Sequence, residues 1–232
     1  MRLDIYSDTI CPWCFIGKRR LDRALAERPQ PGLTIHWRAF QLNPEMPAEG
    51  MDRQLYLQLK FGGAENAERV YAQVRSAGED EEIPFAFTAM QRTPNTVDSH
   101  RLIRFAAAKG LQSDIVEALF EAYFLRGEDI GQHDVLAAAA AGAGLDAGEA
   151  RAFLDSDLEE QAVRTEDQEA RHAGLQGVPT FIVNSQYALS GAQEPEVLCQ
   201  MFDIGRGDDA AGGPAERLPT DEPGETGRSE GA

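Results

Sequence analysis

The stretch Cys11-Pro12-Trp13-Cys14 decides the fold that this sequence predicts. It follows an alternating, strand-like run at residues 2–8 and precedes residues 15–27, whose apolar residues recur on one helical face. A second strand is predicted over residues 33–40. This order of strand, helix and strand indicates a parallel, right-handed unit with the cysteines at the start of its helix.

The position of the cysteine pair favours redox chemistry. Unpaired backbone N–H groups and the helix dipole stabilise a thiolate at Cys11. Pro12 suits the first turn of a helix, where a missing N–H costs no hydrogen bond. Cys14 lies on the same helical face, within disulfide reach. We therefore predict that Cys11 is an exposed nucleophile and Cys14 the resolving thiol, in exchange through a mixed disulfide.

Three other interpretations of the pair stay open but fit less well. A zinc site would need two further ligands, and none of the four histidines, nor Cys199, forms a paired motif. Covalent haem would need a histidine where the chain has Phe15. Two core cysteines by chance would leave the intervening Pro-Trp unexplained. We expect no metal and no bound cofactor, and Cys199 is expected to be a lone core residue.

Composition limits the partners of the protein. The formal charge is −17, from 22 basic and 39 acidic residues, which disfavours nucleic acid and anionic membrane surfaces. No stretch approaches the roughly 20 apolar residues that span a bilayer. Because the N-terminus enters a strand without a signal-like segment, we expect a cytoplasmic protein. Three cysteines, a small and odd number, are also not the pattern of a structural disulfide framework.

Helical patterns dominate the middle of the chain, and strands return near its end. Helices are predicted over residues 52–60, 65–77, 97–109, 113–126, 134–141, 148–154, 158–173 and 194–202. Ser156 and Glu159 predict a capping box for the seventh of these. Residues 179–183 and 187–189 predict a hairpin.

Gly177-Val178-Pro179-Thr180 is the second informative stretch. Proline at the mouth of a strand occurs at edges or special turns. Only about 5–6% of X-Pro bonds are cis. Opposite a redox C-x-x-C, however, we predict that Pro179 is cis and that the Val178 backbone is free to pair with an extended peptide.

Together these motifs resemble the DsbA family of thioredoxin-fold oxidoreductases, in particular its FrnE-like branch, over roughly residues 2–204. The matching stretches are residues 11–18, 41–44, 92–96, 99–103, 177–181 and 190–193. The resemblance implies an α/β, thioredoxin-like fold with an inserted all-helical domain. It also implies that Cys11 and Cys14 are the redox pair, with Pro12, Trp13, Val178 and Pro179 at the substrate site.

The same resemblance implies disulfide oxidoreductase or isomerase activity on disulfide-containing proteins or low-molecular-weight thiols, with glutathione as a candidate co-substrate. The expected domains are residues 1–42 plus 174–204 (thioredoxin-like) and 43–173 (helical insertion). Residues 205–232 hold Leu218 as their only large apolar residue and are predicted to be a disordered acidic tail.

Two departures from the family pattern matter. Thioredoxin relatives often carry a buried acid six residues before the first cysteine, where this chain has Ile5. Asp8 is a candidate for proton transfer, although a solvated turn residue is the favoured interpretation. Trp13 cannot hydrogen-bond a thiolate as a charged imidazole does, so strong oxidising power is not implied.

Three further residues are auxiliary candidates near the predicted site. Thr93 and Asn95 are candidates to line the substrate groove, but turn formation and helix capping explain them equally well. His100 is more simply a structural histidine.

Two other functions compete with a disulfide oxidoreductase. Glutathione-dependent enzymes of the 2-hydroxychromene-2-carboxylate isomerase and kappa transferase types share this architecture, but they usually have serine in place of Cys11 and keep no C-x-x-C. A binding module or holdase with vestigial cysteines would show no redox titration at all.

Overall fold

The structure, a computed structural model, describes residues 1–207 and 216–217. Its strands are β1 (Arg2–Ser7), β2 (Thr34–Ala39), β3 (Met51–Asp52), β4 (Arg92–Thr93), β5 (Thr180–Val183), β6 (Tyr187–Ser190) and β7 (Glu216–Arg217). Its α-helices are α1 (Pro12–Glu27), α2 (Arg53–Phe61), α3 (Ala64–Glu79), α4 (Val97–Ala107), α5 (Gln112–Phe120), α6 (His133–Gly142), α7 (Ala147–Leu154), α8 (Glu160–His172) and α9 (Pro195–Gly205). A π-helix, Glu121–Leu125, continues α5.

A five-stranded mixed sheet in the order β2-β1-β5-β6-β7 organises the fold. Strand β1 pairs with β2 in parallel, placing Ile5 opposite Trp37. On its other side β1 pairs with β5 antiparallel, placing Ile5 opposite Phe181. The first and last parts of the chain therefore close one sheet. The predicted α/β thioredoxin-type fold with a helical insertion is confirmed.

The insertion between β2 and β5 also holds a short ladder that the sequence patterns did not predict. Strands β3 and β4 pair antiparallel, with Met51 opposite Thr93. Each strand has only two residues, too few for an alternating pattern to show. The insertion is therefore helical apart from this ladder.

One aromatic cluster joins the two parts of the chain. Phe15 on α1 stacks on Phe120 of α5, with ring centroids 5.1 Å apart, and on Phe124 at 6.0 Å. Phe85, also from the insertion, meets the Phe15 ring edge-on at 6.1 Å. A single buried hydrophobic cluster thus contains side chains from the sheet, from α1 and from the insertion.

The boundaries of α8 and α9 are among those that differ from the sequence-based expectations. Helix α8 begins at Glu160, so the predicted capping box is wrong: Glu159 has a left-handed φ of 66° and caps no N–H. The Ser156 hydroxyl instead donates to the Phe153 carbonyl at 2.6 Å. At the C-terminus, α9 extends to Gly205 and β7 pairs with β6, whereas the rest of the predicted disordered tail lies outside the described residues.

Candidate active site

Cys11 occupies the N-cap of α1, which begins at Pro12. Its backbone N–H donates to the Asp8 carbonyl at 3.0 Å, and its carbonyl accepts from the Cys14 N–H at 3.0 Å. No side chain caps the helix, so Cys11 stands at the positive end of the α1 dipole. Both cysteines are free thiols.

The prediction that Cys11 is exposed is wrong. Its exposed fraction is 4%, and that of Cys14 is 1%. The reason is the segment before β5, because the Cys11 Sγ faces the Val178 carbonyl at 3.6 Å. Trp13, 36% exposed, is the accessible residue of the motif.

The surroundings of Cys14 favour the protonated thiol. Burial raises the pKa of the Cys14 thiol well above its usual range, and the neighbouring Cys11 thiol raises it further. Hydrogen bonding with the Ser7 side chain and the Asp8 backbone acts in the opposite direction without reversing the shift. Cys14 therefore needs a proton acceptor before it can attack a disulfide.

The segment before β5 packs closely on the redox helix. The Val178–Pro179 peptide bond is cis. A Cβ atom at Gly17 would lie 3.0 Å from the Pro179 Cγ and 3.4 Å from the Phe181 ring, so only glycine lets α1 approach this closely. The Gly191 N–H donates to the Pro179 carbonyl at 2.8 Å, which ties the segment to the end of β6.

Asp8 is fully buried, so the favoured interpretation of a solvated turn residue is wrong. Its Oδ2 accepts from the Leu42 N–H at 2.7 Å, just beyond β2. Its Oδ1 lies 3.5 Å from the Nε2 of His100, which is 2% exposed. Asp8 was not expected to be buried because the residues that cover it lie 34 and 92 positions away in the chain.

Thr93 and Asn95, the other two auxiliary candidates, form structural hydrogen bonds. Thr93 is buried in β4, and its hydroxyl accepts from Arg53 at 3.0 Å. The Asn95 side chain donates to the Met46 carbonyl at 2.6 Å and accepts from the Val97 N–H at 2.9 Å. The Asn95 contact with the Val97 N–H fits the turn and capping interpretation, whereas the Thr93 contact is neither a turn nor a cap.

An apolar cavity of about 290 Å³ lies between residues 43–51 and α2. Its lining includes Pro44, Met46, Pro47, Met51, Tyr56 and Leu59. Tyr56 connects the cavity to the pair: burial raises the pKa of its hydroxyl, and the charges of Asp8 and Cys11 contribute to the increase. The sequence analysis missed Tyr56 because no local pattern links α2 to the cysteines.

Cys199, the third cysteine, lies apart from this site. It is half-buried on α9, with its Sγ donating to the Ala24 carbonyl at 3.8 Å, and burial raises the pKa of its thiol. Among the residues that the structure describes, no group of three or more His, Cys, Asp or Glu side chains is placed to hold a metal ion. No helix in the described part of the chain is long and apolar enough to cross a membrane.

Comparison with known proteins places this arrangement in a family. A probable DsbA oxidoreductase from Streptomyces coelicolor superposes with a TM-score of 0.80 and 31% identity, over 91% of this chain and 92% of that one. The uncharacterized protein YwbO of Bacillus subtilis (strain 168) is 24% identical over 201 residues, which are 85% of this chain and 93% of YwbO.

A 2-hydroxychromene-2-carboxylate isomerase superposes with a TM-score of 0.66 over 89% of this chain and 95% of that one, at 18% identity, which shows a shared fold alone. The family model for DSBA-like thioredoxin domains matches residues 2–203. With the cysteine pair at the helix start, the chain belongs to the DSBA-like thioredoxin domain family of oxidoreductases.

Proposed function

We infer that the protein is a dithiol–disulfide oxidoreductase or isomerase that works through a mixed disulfide at Cys11. The Cys11 thiolate attacks one sulfur of a substrate disulfide, and the other substrate sulfur leaves with the electron pair as a thiolate. Cys14 then attacks the Cys11 sulfur, which closes the Cys11–Cys14 disulfide and releases the second substrate thiolate. The reverse sequence oxidises a substrate dithiol.

The observation that carries this proposal is the unequal setting of the two thiols. Cys11 sits at the start of α1, where no side chain caps the helix and the helix dipole favours an anion. Cys14 is buried beneath it with a raised pKa. A reactive first thiol and a protonated second one are what a mixed-disulfide mechanism requires.

Disulfide-containing proteins are the substrates that we favour, with low-molecular-weight thiols, including glutathione, as candidate co-substrates. The carbonyl of Val178 lies beside the Cys11 Sγ, at the edge where an extended peptide would align. The apolar cavity next to Tyr56 is large enough for one apolar side chain of such a peptide.

Two finer assignments stay predictions. The motif stretches support membership of the FrnE-like branch. The test is to compare the substrate profile of this protein with that of a reference protein from the branch, and we expect the two profiles to match. The expected cytoplasmic location is tested by fractionating cells that express the full chain. We expect neither nucleic acid nor membrane surfaces among the partners, because the net charge is −17.

The deciding experiment is a thiol–disulfide redox titration combined with an insulin-reduction assay. Wild type should titrate as a single two-electron couple and reduce insulin. Cys11→Ser should lose the activity, because no other described thiol occupies a helix N-cap. Cys14→Ser should accumulate a mixed disulfide that mass spectrometry detects.

The outcomes separate the competing functions. Insulin reduction retained in Cys11→Ser would contradict the proposed mechanism. A glutathione-dependent isomerase of the 2-hydroxychromene-2-carboxylate type would tolerate serine at position 11. A holdase would give no redox titration in any variant.

A further inference from the structure

Two buried polar atoms face each other beneath the redox motif without a hydrogen-bond partner. They are the Asp8 Oδ1 and the His100 Nε2, 3.5 Å apart. Asp8 is completely buried and His100 almost so. Only the other carboxylate oxygen, Oδ2, has a donor, the Leu42 N–H.

Neighbouring contacts hold the two side chains in place. The Thr9 and Ser99 hydroxyls hydrogen-bond each other at 2.7 Å, which fixes the β1–α1 turn to α4. The His100 N–H donates to the Thr96 carbonyl at 3.0 Å within α4. The packing of α4 against the turn therefore keeps Asp8 and His100 facing each other.

Buried acceptors and ring nitrogens without partners are rare, and such exceptions call for a physical explanation. A carboxylate oxygen and an imidazole nitrogen that lack other partners are sites that can accept a proton. Asp8 lies in the turn that leads to Cys11 and His100 lies on α4, and the Asp8 backbone also hydrogen-bonds Cys14.

We propose that Asp8 and His100 together accept the proton that Cys14 loses when it attacks the mixed disulfide. The inference rests on the proposed oxidoreductase function and deepens it, since it names the groups that manage the proton of the buried thiol. They act as the proton acceptor of the second step, whereas the sulfur atoms do the bond exchange.

The Cys14 S–H bond breaks and its proton passes to the Asp8–His100 pair. The Cys14 sulfur forms a bond with the Cys11 sulfur, the bond between Cys11 and the substrate sulfur breaks, and the electron pair leaves with the substrate thiolate. In the reverse direction the pair returns the proton to Cys14.

Other ionisable groups surround the pair and enter its electrostatics. Cys11 and Cys14 face it from α1, and Tyr56 does so from α2. On the far side, Asp167 of α8 accepts from the Gln41 N–H at 2.7 Å and is neutralised by Arg171 at 2.9 Å. Among the described residues, His100 is thus the only basic side chain within ion-pair distance of the Asp8 carboxylate.

The test separates the two chemical steps with an aromatic disulfide whose released thiolate is coloured. Reduced full-length protein is mixed with excess reagent across a range of pH around neutrality. The first thiolate released reports attack by Cys11, and the second reports attack by Cys14. Asp8→Asn, which keeps an oxygen for the Leu42 N–H, and His100→Gln are compared with wild type.

In both variants we expect the second release to slow by about 100-fold at neutral pH, the usual range for a lost proton acceptor. Its rate should then rise about tenfold per pH unit, because only hydroxide generates the Cys14 thiolate. The first release should change far less. His133→Gln removes a histidine that pairs with Asp98 and Asp155 outside this cluster and should behave as wild type.

The proposal is wrong if the second release keeps its wild-type rate and pH dependence in both variants, or if His133→Gln reproduces the loss. Absence of the first release from wild type would instead contradict the proposed function itself. If the variants do not fold, NMR titration of the wild-type His100 ring decides. Its protonation should differ between the dithiol and disulfide forms, and identical titrations would overturn the proposal.

Discussion

Two residues separate two thiols that lie in different surroundings. Cys11 ends the turn after β1 at the N-cap of α1, whereas Cys14 lies one helical turn deeper, against Ser7. The order of attack follows from this difference rather than from any difference in the thiols themselves. Gly17, one further turn along, sets how near the helix comes to Pro179.

Gly17→Ala should both destabilise the protein and slow disulfide exchange. The added methyl group would lie 3.0 Å from the Pro179 ring, which has little freedom to move, so α1 or the segment before β5 must shift. We expect a loss of about 1–3 kcal/mol in the free energy of unfolding. Chemical denaturation and the insulin assay measure the two effects.

Gly142→Ala is the matched control for this substitution. Gly142 ends α6, and a Cβ atom there meets no other atom within 4 Å. Alanine should leave exchange unchanged and stabilise the protein by up to about 1 kcal/mol, because it is the better helix former. Equal changes in unfolding free energy and exchange rate in the two variants would show that the contact between Gly17 and Pro179 affects neither quantity.

Residue-scale prediction succeeded where the chemistry is local. The cysteine pair, Pro12 and the helix that follows them are contiguous, so their spacing alone indicated a redox site. The burial of Asp8 was missed because Leu42 and His100 cover it from distant parts of the chain. No property of residues 7–10 reports those neighbours.

At the scale of elements, long periodic segments were predicted well. Helices α3 and α9 match the expected spans to within three residues at each end. The start of α1 was predicted three residues late, since the cysteine motif itself forms its first turn. The ladder of β3 and β4 depends on a pairing across 41 residues, which hydrophobic periodicity does not encode.

Helix α2 contributes one exposed apolar residue, Leu59, to the lining of the apolar cavity. Removing this side chain should slow the reaction of apolar substrates specifically. Leu59 is 67% exposed and lines that cavity. Leu59→Ser should lower kcat/KM by about tenfold for a peptide disulfide flanked by leucine, the loss of partial burial of one side chain. A peptide flanked by serine should be unaffected.

Leu158→Ser provides the comparison, since Leu158 is 59% exposed and does not line the cavity. It should leave both peptides unchanged. A similar loss in the two variants, or an equal loss for both peptides, would mean that α2 does not contact the substrate.

At the scale of the whole molecule, an ion-pair network joins the sheet to the insertion. Arg38 of β2 donates to Asp4 of β1 at 2.8 Å and to Glu166 of α8 at 3.0 Å. Glu166 also accepts from the Ala39 N–H at 2.8 Å, and Arg104 of α4 lies 3.4 Å away. Four elements from both parts of the chain thus share one set of charges.

The network predicts a defined loss of stability in acid. Burial raises the pKa of Asp4, but hydrogen bonds from Arg2 and Arg38 outweigh it and hold the pKa below its ordinary value. The carboxylate therefore stabilises the fold at pH above the unfolded value of about 3.9, and this contribution disappears as the pH falls through the lower folded value.

Asp4→Asn should accordingly lose roughly 1–3 kcal/mol of unfolding free energy at neutral pH, as for a hydrogen bond to a charged group. Its difference from wild type should shrink below about pH 4. Asp22→Asn, at a half-exposed ion pair with Lys18, should lose little at any pH. Denaturant titrations across the pH range measure all three proteins, and a constant difference would contradict the assignment to Asp4.

The stacked rings around Phe15 restrict how the molecule can move. Phe15 directly follows Cys14, and its partners Phe120 and Phe124 belong to the insertion. A hinge between sheet and insertion would have to separate these rings and expose their apolar faces to water. We therefore expect the redox helix to stay fixed during turnover, so that substrates reach Cys11 by small displacements of Trp13 and of the segment before β5.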